Sequence, residues 1–240
     1  MLLQAAINGA RSPAEHPALP VGPDELAAAA KACIAAGAGA VHLHVRAADG
    51  TESLAAEDVA RSVTAVRADC RGTPIGISTG AWIEPDPIRR LARVRRWQVL
   101  PDCASVNFDE PGAVEIAEEL LELGVGIEAG LSGVAPAESL AHSGLEARCL
   151  RVLLEPQEQD LAAALNTVAG IERTLGGSEA GRAPRLLHGV DATAWPLLRE
   201  AVRRGYGARM GLEDTLRLPD GQVAGDNLEL IRTAKAWISG

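Results

Sequence analysis

The stretch AVHLHVRAAD at positions 40–49 reads as a short buried strand that carries two histidines, and the fold is read outward from it. A strand turns successive side chains to opposite faces, so His42 and His44 share one face while Val41, Leu43 and Val45 share the other. The chain has five histidines in all, and two of them on one face of one strand demand an explanation.

On both sides of this stretch, short apolar runs bounded by Gly, Pro, Asp or Asn recur, each followed by a segment with helical spacing. Strands are expected at 2–8, 40–45, 74–78, 103–107, 125–129, 147–155, 185–189 and 208–213. Helices are expected at 24–36, 56–69, 86–96, 111–123, 136–143, 158–175, 193–204 and 226–238, with start signals at Pro23-Asp24, Pro85-Asp86 and Pro111. Eight such units in 240 residues predict a closed (β/α)8 TIM barrel, an α/β fold, as one domain over 1–240. Fewer units would favour an open doubly wound sheet, and no glycine-rich dinucleotide fingerprint follows the first strand. The Gly-Gly-Ser stretch at 176–181 reads as a surface loop before the seventh strand.

Composition narrows the partners. A formal net charge of −9 and 2% aromatic residues argue against nucleic acid, which needs a basic face and stacking platforms. Cys33, Cys70, Cys103 and Cys149 form no C-x-x-C pair and read as small core residues of a protein in a reducing cytoplasm. The first residues lack the pattern of a signal peptide and no long apolar run occurs, so the expectation is a soluble cytoplasmic protein with no membrane partner.

In a barrel of this kind chemistry sits at the C-terminal ends of the strands, and here those ends are polar. They carry Asn8-Gly9-Ala10-Arg11, then His42, His44 and Arg46, then Ser78-Thr79-Gly80, then Ser105 and Asn107. The later strands add Glu128, Glu155, His188, and finally Arg209, Glu213 and Asp214. Arg209, Gly211 and Glu213 share one strand face by the period of two. Two neutral imidazoles and a carboxylate make a facial set for a divalent transition metal, so His42, His44 and Glu213 are assigned that role, against the alternative of satisfied core histidines. Glu128 and Glu155 either converge on the site or close rim salt bridges with Arg46, Arg151 or Arg185. His188 reads as a supporting donor, His16 and His142 as solvated loop residues, and RRLARVRRW at 89–97 as a solvated helix face.

N-G-A near the N-terminus, V-H-L-H-V-R, I-S-T-G, V-N-F and R-M-G-L-E-D together resemble the β-keto acid cleavage enzymes, also called the 3-keto-5-aminohexanoate cleavage family. The resemblance spans nearly the whole chain, and the pairing of H-L-H-V-R with G-L-E-D about 170 residues later is its most specific part. It implies a zinc-dependent (β/α)8 barrel, a homo-oligomer, that condenses a β-keto acid with acetyl-CoA to acetoacetate and the CoA ester of the shortened acid. By motif, His42, His44 and Glu213 match the Zn2+ ligands, Ser78 a substrate contact, Arg209 the arginine that holds and polarises the acidic group, and Asp214 the aspartate with base-type work. Glu128, kept in IEAGLSG, completes the expected catalytic group; Asn8, Arg11, Thr79 and Asn107 complete the expected substrate contacts. Zinc bound to the keto oxygen and carboxylate would act as a Lewis acid while a carboxylate takes the acetyl-CoA α-proton to make the attacking enolate.

The chain departs from that family in a contracted loop around strand four, on the CoA side, and in His188. Arg11 stands where the member that gave the family its first name has an acid for the substrate amino group, which implies keto acids with an acidic or polar distal group. Two other readings use the same residues: an amidohydrolase-type metal hydrolase, whose His-x-His belongs on the first strand, and a noncatalytic relative that binds metal and a small acid or acyl-CoA.

Overall fold

Eight parallel strands close on themselves in sequence order in the computed structural model, which describes residues 1–176 and 182–239. The expected surface loop at 176–181 therefore lies outside the described residues apart from Gly176. The strands are β1 (Leu3–Ala6), β2 (Ala40–Leu43), β3 (Ile75–Ser78), β4 (Cys103–Asn107), β5 (Gly126–Leu131), β6 (Arg151–Leu154), β7 (Arg185–Leu187) and β8 (Gly207–Met210). The helices are α1 (Pro23–Ala35), α2 (Ala56–Asp69), α3 (Pro87–Val94), α4 (Ala113–Glu122), α5 (Val134–Ser143), α6 (Leu161–Leu175), α7 (Ala194–Arg204) and α8 (Asn227–Ser239). The expected (β/α)8 barrel is the observed architecture. Among the described residues no helix is long and apolar enough to cross a membrane.

Branched and small apolar residues on the outer strand faces, Val41, Leu43, Ile75 and Ile77 among them, are fully buried under the helix ring. Local signals start and stop the helices. Pro23 opens α1, with the Glu25 carboxylate accepting from the N–H groups of Val21 and Gly22. Asp86 caps α3 by accepting from the N–H groups of Ile88 and Arg89, and Asp160 caps α6 through Ala163 N–H. Left-handed Gly144 and Gly205 end α5 and α7.

Of the boundaries that differ from expectation, three bear on the site. Chain 147–155 is not one strand: a 3-10 turn at Glu146–Arg148 comes first, and its Glu146 carboxylate reaches Arg185 on the neighbouring strand. The second strand stops at Leu43, so His44 follows it; the eighth stops at Met210, so Glu213 stands in the turn beyond. Two environments also differ. His16 is buried, its Nε2 lying 2.8 Å from the Ala224 carbonyl. Within 89–97, Arg90 is buried against Glu110 at 3.3 Å, and Trp97 is buried with its indole N–H on the Leu54 carbonyl at 3.0 Å.

The barrel floor is polar. Glu128, wholly buried on β5, accepts from the Gln4 amide of β1 at 2.7 Å and lies 3.4 Å from Arg151 Nε of β6. Of the three arginines offered as its partners, only Arg151 takes the place: Arg46 donates to the carbonyls of Gly9 and Arg11, and Arg185 pairs with Glu146. Gly76 on β3 makes the room, since a Cβ there would stand 3.2 Å from Glu128 Oε2.

The seam between β8 and β1 fixes everything above the floor. A Cβ on Gly211 would stand 1.9 Å from the Ala6 carbonyl oxygen, so only glycine lets the chain leave β8 this close to β1. Glu213 N–H then donates to that same carbonyl at 3.2 Å. Asn227, at the start of α8, ties the seam from outside by donating to the Ile7 carbonyl and accepting from Leu212 N–H. Gly211→Ala is therefore expected to destabilise the fold by about 2 kcal/mol or more, the scale of forced overpacking. Equilibrium urea unfolding measures it; wild-type stability would show that the seam has slack.

Candidate functional site

Asn8 sets the first imidazole. Its amide donates to the His44 carbonyl at 2.9 Å and accepts from His44 N–H at 2.8 Å, fastening the turn after β1 to the chain just past β2. The next residue, Gly9, has φ +58°, and a Cβ there would stand 2.4 Å from Glu213 Cγ. Asn-Gly thus places His44 with one residue and leaves space for Glu213 with the next. Arg46 seals the corner by donating to the Gly9 and Arg11 carbonyls.

His42 Nε2 lies 3.9 Å from Glu213 Oε2, and His44 Nε2 lies 3.5 Å from Glu213 Oε1. One ligand atom from each of the three falls within 4.8 Å of the others, the one such metal-holding group among the described residues. Carboxylates face the far side of both rings: Glu52 stands 2.5 Å from His44 Nδ1, and Glu128 stands 3.8 Å from His42 Nδ1. The Glu52 contact sets the His44 tautomer that leaves Nε2 free to ligate, whereas His42 Nδ1 has no hydrogen-bond partner among protein atoms. Trp82 stacks on His44 with centroids 5.9 Å apart and donates its indole N–H to Glu52. Gly80 admits that ring, because a Cβ there would stand 2.2 Å from Trp82.

The donor set fits a divalent metal by its electrostatics. Burial pushes His42 down to about 3, which keeps its imidazole neutral. Burial opposes the charged form of His44 as well, yet Glu213 and Glu52 push it up to about 9, which marks a place where positive charge is wanted. Against the cost of burial, Arg209 and the two histidines hold the Glu213 carboxyl well below the usual carboxylate range. Glu213 Oε2 is buried with no hydrogen-bond partner among protein atoms, an acceptor left for a ligand between the two rings.

On β8, Arg209 is nearly buried and serves two acids. Its Nε and Nη2 donate to Asp214 Oδ1 at 3.1 and 2.6 Å, and its Nη1 lies 3.2 Å from Glu213 Oε1. Beyond them His188 stands 3.6 Å from Asp214 Oδ1 and 3.3 Å from Glu155 Oε2. These groups open into a cavity of about 610 Å³ at the C-terminal ends of the strands, lined by His42, His44, Ser78, Ser105, Asn107, Glu155, His188, Arg209 and Glu213 among others.

Several expected site residues take other places. Asn8 is wholly buried and spent on His44; Thr79 is buried with its hydroxyl donating to the Ser105 carbonyl; neither lines the cavity. Glu128 and Asp214 also lie beneath it, the first under His42 and the second under Arg209. Ser78 and Asn107 do line it. Arg11 lines it at the rim, its guanidinium paired with Asp191 at 2.6 Å and Glu15 at 3.4 Å. Glu52 and Trp82 escaped the sequence reading because each acts on His44 from a different loop. In retrospect, the glycine of I-S-T-G was a trace of the tryptophan.

The sequence model described as beta-keto acid cleavage enzyme matches residues 1–141 and 156–239. The chain is 26% identical over 241 residues to a 3-keto-5-aminohexanoate cleavage enzyme of Fusobacterium nucleatum subsp. nucleatum, covering 96% of this chain and 88% of that protein. It is 26% identical over 247 residues to the enzyme of the same name from Acetoanaerobium sticklandii, covering 96% and 89%. Among solved structures, a binary complex of ObcA with oxaloacetate superposes with TM-score 0.71 at 16% identity. That alignment covers 92% of this chain and 63% of the ObcA chain. A 3-dehydroquinate dehydratase from Aquifex aeolicus aligns with TM-score 0.60 at 10% identity over 99% of this chain and 97% of that one, a likeness of fold.

Removing a ligand and removing its support should differ in degree. His42→Ala and His44→Ala are expected to abolish stoichiometric metal binding, whereas Glu52→Gln should weaken it about 10- to 100-fold. Competition against a chromogenic chelator measures both, and a Glu52→Gln protein with wild-type affinity would mean that the His44–Glu52 contact does nothing for the centre.

Proposed function

The chain belongs to the β-keto acid cleavage enzyme family, and on that premise we propose that it transfers the acetyl group of acetyl-CoA to a β-keto acid, releasing acetoacetate and the CoA ester of the shortened acid. The observation that carries this reading is the His42, His44 and Glu213 set, with Arg209 within 3.2 Å of its carboxylate at the floor of a polar cavity. We take the ion to be Zn2+, which the imidazole-carboxylate donor set suits, and the protein to work as a homo-oligomer in the cytoplasm. When bound, the ion supplies Lewis-acid polarisation of the keto acid's oxygens.

The chain's own groups do the rest. Arg209 presents a guanidinium, oriented by Asp214, to an anionic oxygen of the substrate, a charge-assisted contact in a site screened from water. Ser78, Ser105 and Asn107 offer hydroxyl and amide groups to the remaining oxygens along one wall. Glu128 and Asp214, buried under His42 and Arg209, hold those side chains in register. The amidohydrolase alternative gains nothing, since the His-x-His pair begins on β2 and not on β1.

The test incubates purified enzyme with acetyl-CoA and a panel of β-keto acids that includes 3-keto-5-aminohexanoate and oxaloacetate, and follows acetoacetate and the new CoA ester. Formation of both, lost on chelation and restored by Zn2+, is the expected result. Metal binding with no product from any member would point to the noncatalytic relative, and CoA-independent hydrolysis to the hydrolase. Arg209→Ala is expected to cut kcat/KM by about a hundredfold or more, the scale of a lost charged contact of a few kcal/mol. Unchanged efficiency would remove Arg209 from the substrate.

A further inference from the structure

The barrel has a second opening, at the N-terminal ends of its strands and away from the metal ligands. A cavity of about 440 Å³ lies there, lined by Leu2, Leu150, Arg151, Arg185, Tyr206 and Gly207 among others. Those residues stand at or beside the starts of β1, β6, β7 and β8, which are neighbours in the closed sheet. Two of these strands open on an arginine, R-V-L-L in β6 and R-L-L in β7. Register pairs Val152 with Arg185, so Arg151 and Arg185 take opposite faces of the sheet and flank its end from inside and outside.

Both arginines are more than nine-tenths buried, Arg151 at 8% exposure and Arg185 at 4%. Arg151 Nε stands 3.4 Å from Glu128 Oε1, and Arg185 Nη2 donates to Glu146 Oε1 at 2.7 Å. Each guanidinium thus spends one side on an acid and keeps the other. Arg151 Nη1 and Arg185 Nη1 are buried with no hydrogen-bond partner among protein atoms. Glu146 also serves Arg182 at 3.2 Å, so the guanidinium groups of Arg151, Arg182 and Arg185 share only Glu128 and Glu146. Among the described residues no acid lines this cavity, although the chain carries a formal net charge of −9. Tyr206 is spent elsewhere, its hydroxyl donating to Glu172 at 2.8 Å. A buried donor on a cation costs free energy while it lacks an acceptor, and a guanidinium fork matches an oxyanion in shape and charge.

We propose that this opening is an anion site that takes one small oxyanion, a phosphate or a carboxylate, between Arg151 and Arg185. The anion's oxygens accept from guanidinium N–H groups, and the rest of the wall, Leu2, Leu150, Pro184 and Leu186, keeps water from screening the contact. The site is independent of the acetyl-transfer reading, because no metal ligand and no residue of the C-terminal cavity lines it.

The experiment is isothermal titration of inorganic phosphate, and separately of succinate, into the purified protein. Wild type is compared with Arg151→Lys, Arg151→Gln, Arg185→Gln and His44→Ala, each checked for folding by circular dichroism. Wild type should bind one equivalent of at least one of the two anions and unfold at a higher temperature in its presence. The tighter of the two names the anion as tetrahedral or planar. Arg151→Gln and Arg185→Gln should each weaken binding by about tenfold or more, the scale of a hydrogen bond lost from a charged group. Arg151→Lys keeps the charge beside Glu128 but loses the fork, so it should weaken binding too, and it carries the test if Arg151→Gln does not fold. His44→Ala should bind as wild type does, which separates this site from anions drawn to a metal. Absence of binding in wild type would mean that ordered water alone fills the opening, and it overturns the proposal. So does an affinity unchanged in Arg151→Lys and Arg185→Gln, or one lost in His44→Ala.

Discussion

A buried guanidinium between two adjacent acids is the constraint on which this structure turns. Arg209 emerges from β8 with almost no access to water, and Glu213 and Asp214 reach back to it from the following turn. Burying three charges costs several kcal/mol each unless the geometry and the remaining hydrogen bonds offset it. One cation against two anions leaves negative charge unbalanced, and Glu52 adds to it beside His44. A divalent cation between His42, His44 and Glu213 would answer that imbalance; without one, His44 is drawn toward protonation.

The backbone that makes this possible is concentrated where β8 meets β1 and β2. Gly211 brings the end of β8 onto the Ala6 carbonyl, Gly9 clears the path of Glu213, and the Asn8 amide holds His44 from both sides. Each is a steric or hydrogen-bonding requirement that one residue type meets. Arg46 and Asn227 close the same corner from inside and outside the barrel. The contacts that close the sheet also place the ligand set, and Asn8 and Thr79, expected at the substrate, are hydrogen-bonded within that framework.

The cavity is divided between its two walls. β2 and β8 with the turns after them carry His42, His44, Glu213 and Arg209, while the turns after β6 and β7 carry Glu155 and His188, with Asp214 and Arg209 linking the halves. Arg209 touches a ligand with one nitrogen and orders Asp214 with two others. On the function proposed above, a substrate seated between the walls would meet a polarising centre on one side and carboxyl groups on the other, an arrangement an open sheet cannot supply because its ends do not face each other.

The barrel and the convergence of His42 and His44 were legible in the sequence, because both rest on short-range periodicity. Alternation on the second strand put His42 and His44 on one side, and eight repeats of strand and helix left closure as the natural topology. The motif near the C-terminus supplied Glu213, although a strand face does not carry it: β8 ends at Met210, and the turn delivers the side chain. The roles of Asn8, Thr79, Glu128 and Arg11 could not be read the same way. Each depends on a partner 26 to 202 residues distant in the chain, His44, Ser105, Gln4 and Glu213, whose position only the closed sheet decides. Sequence periodicity tells which face a side chain takes, since local backbone geometry sets it. Depth below the rim, and therefore whether a polar group meets substrate or another buried group, is set by strand register and by where each strand stops, and those belong to the tertiary structure.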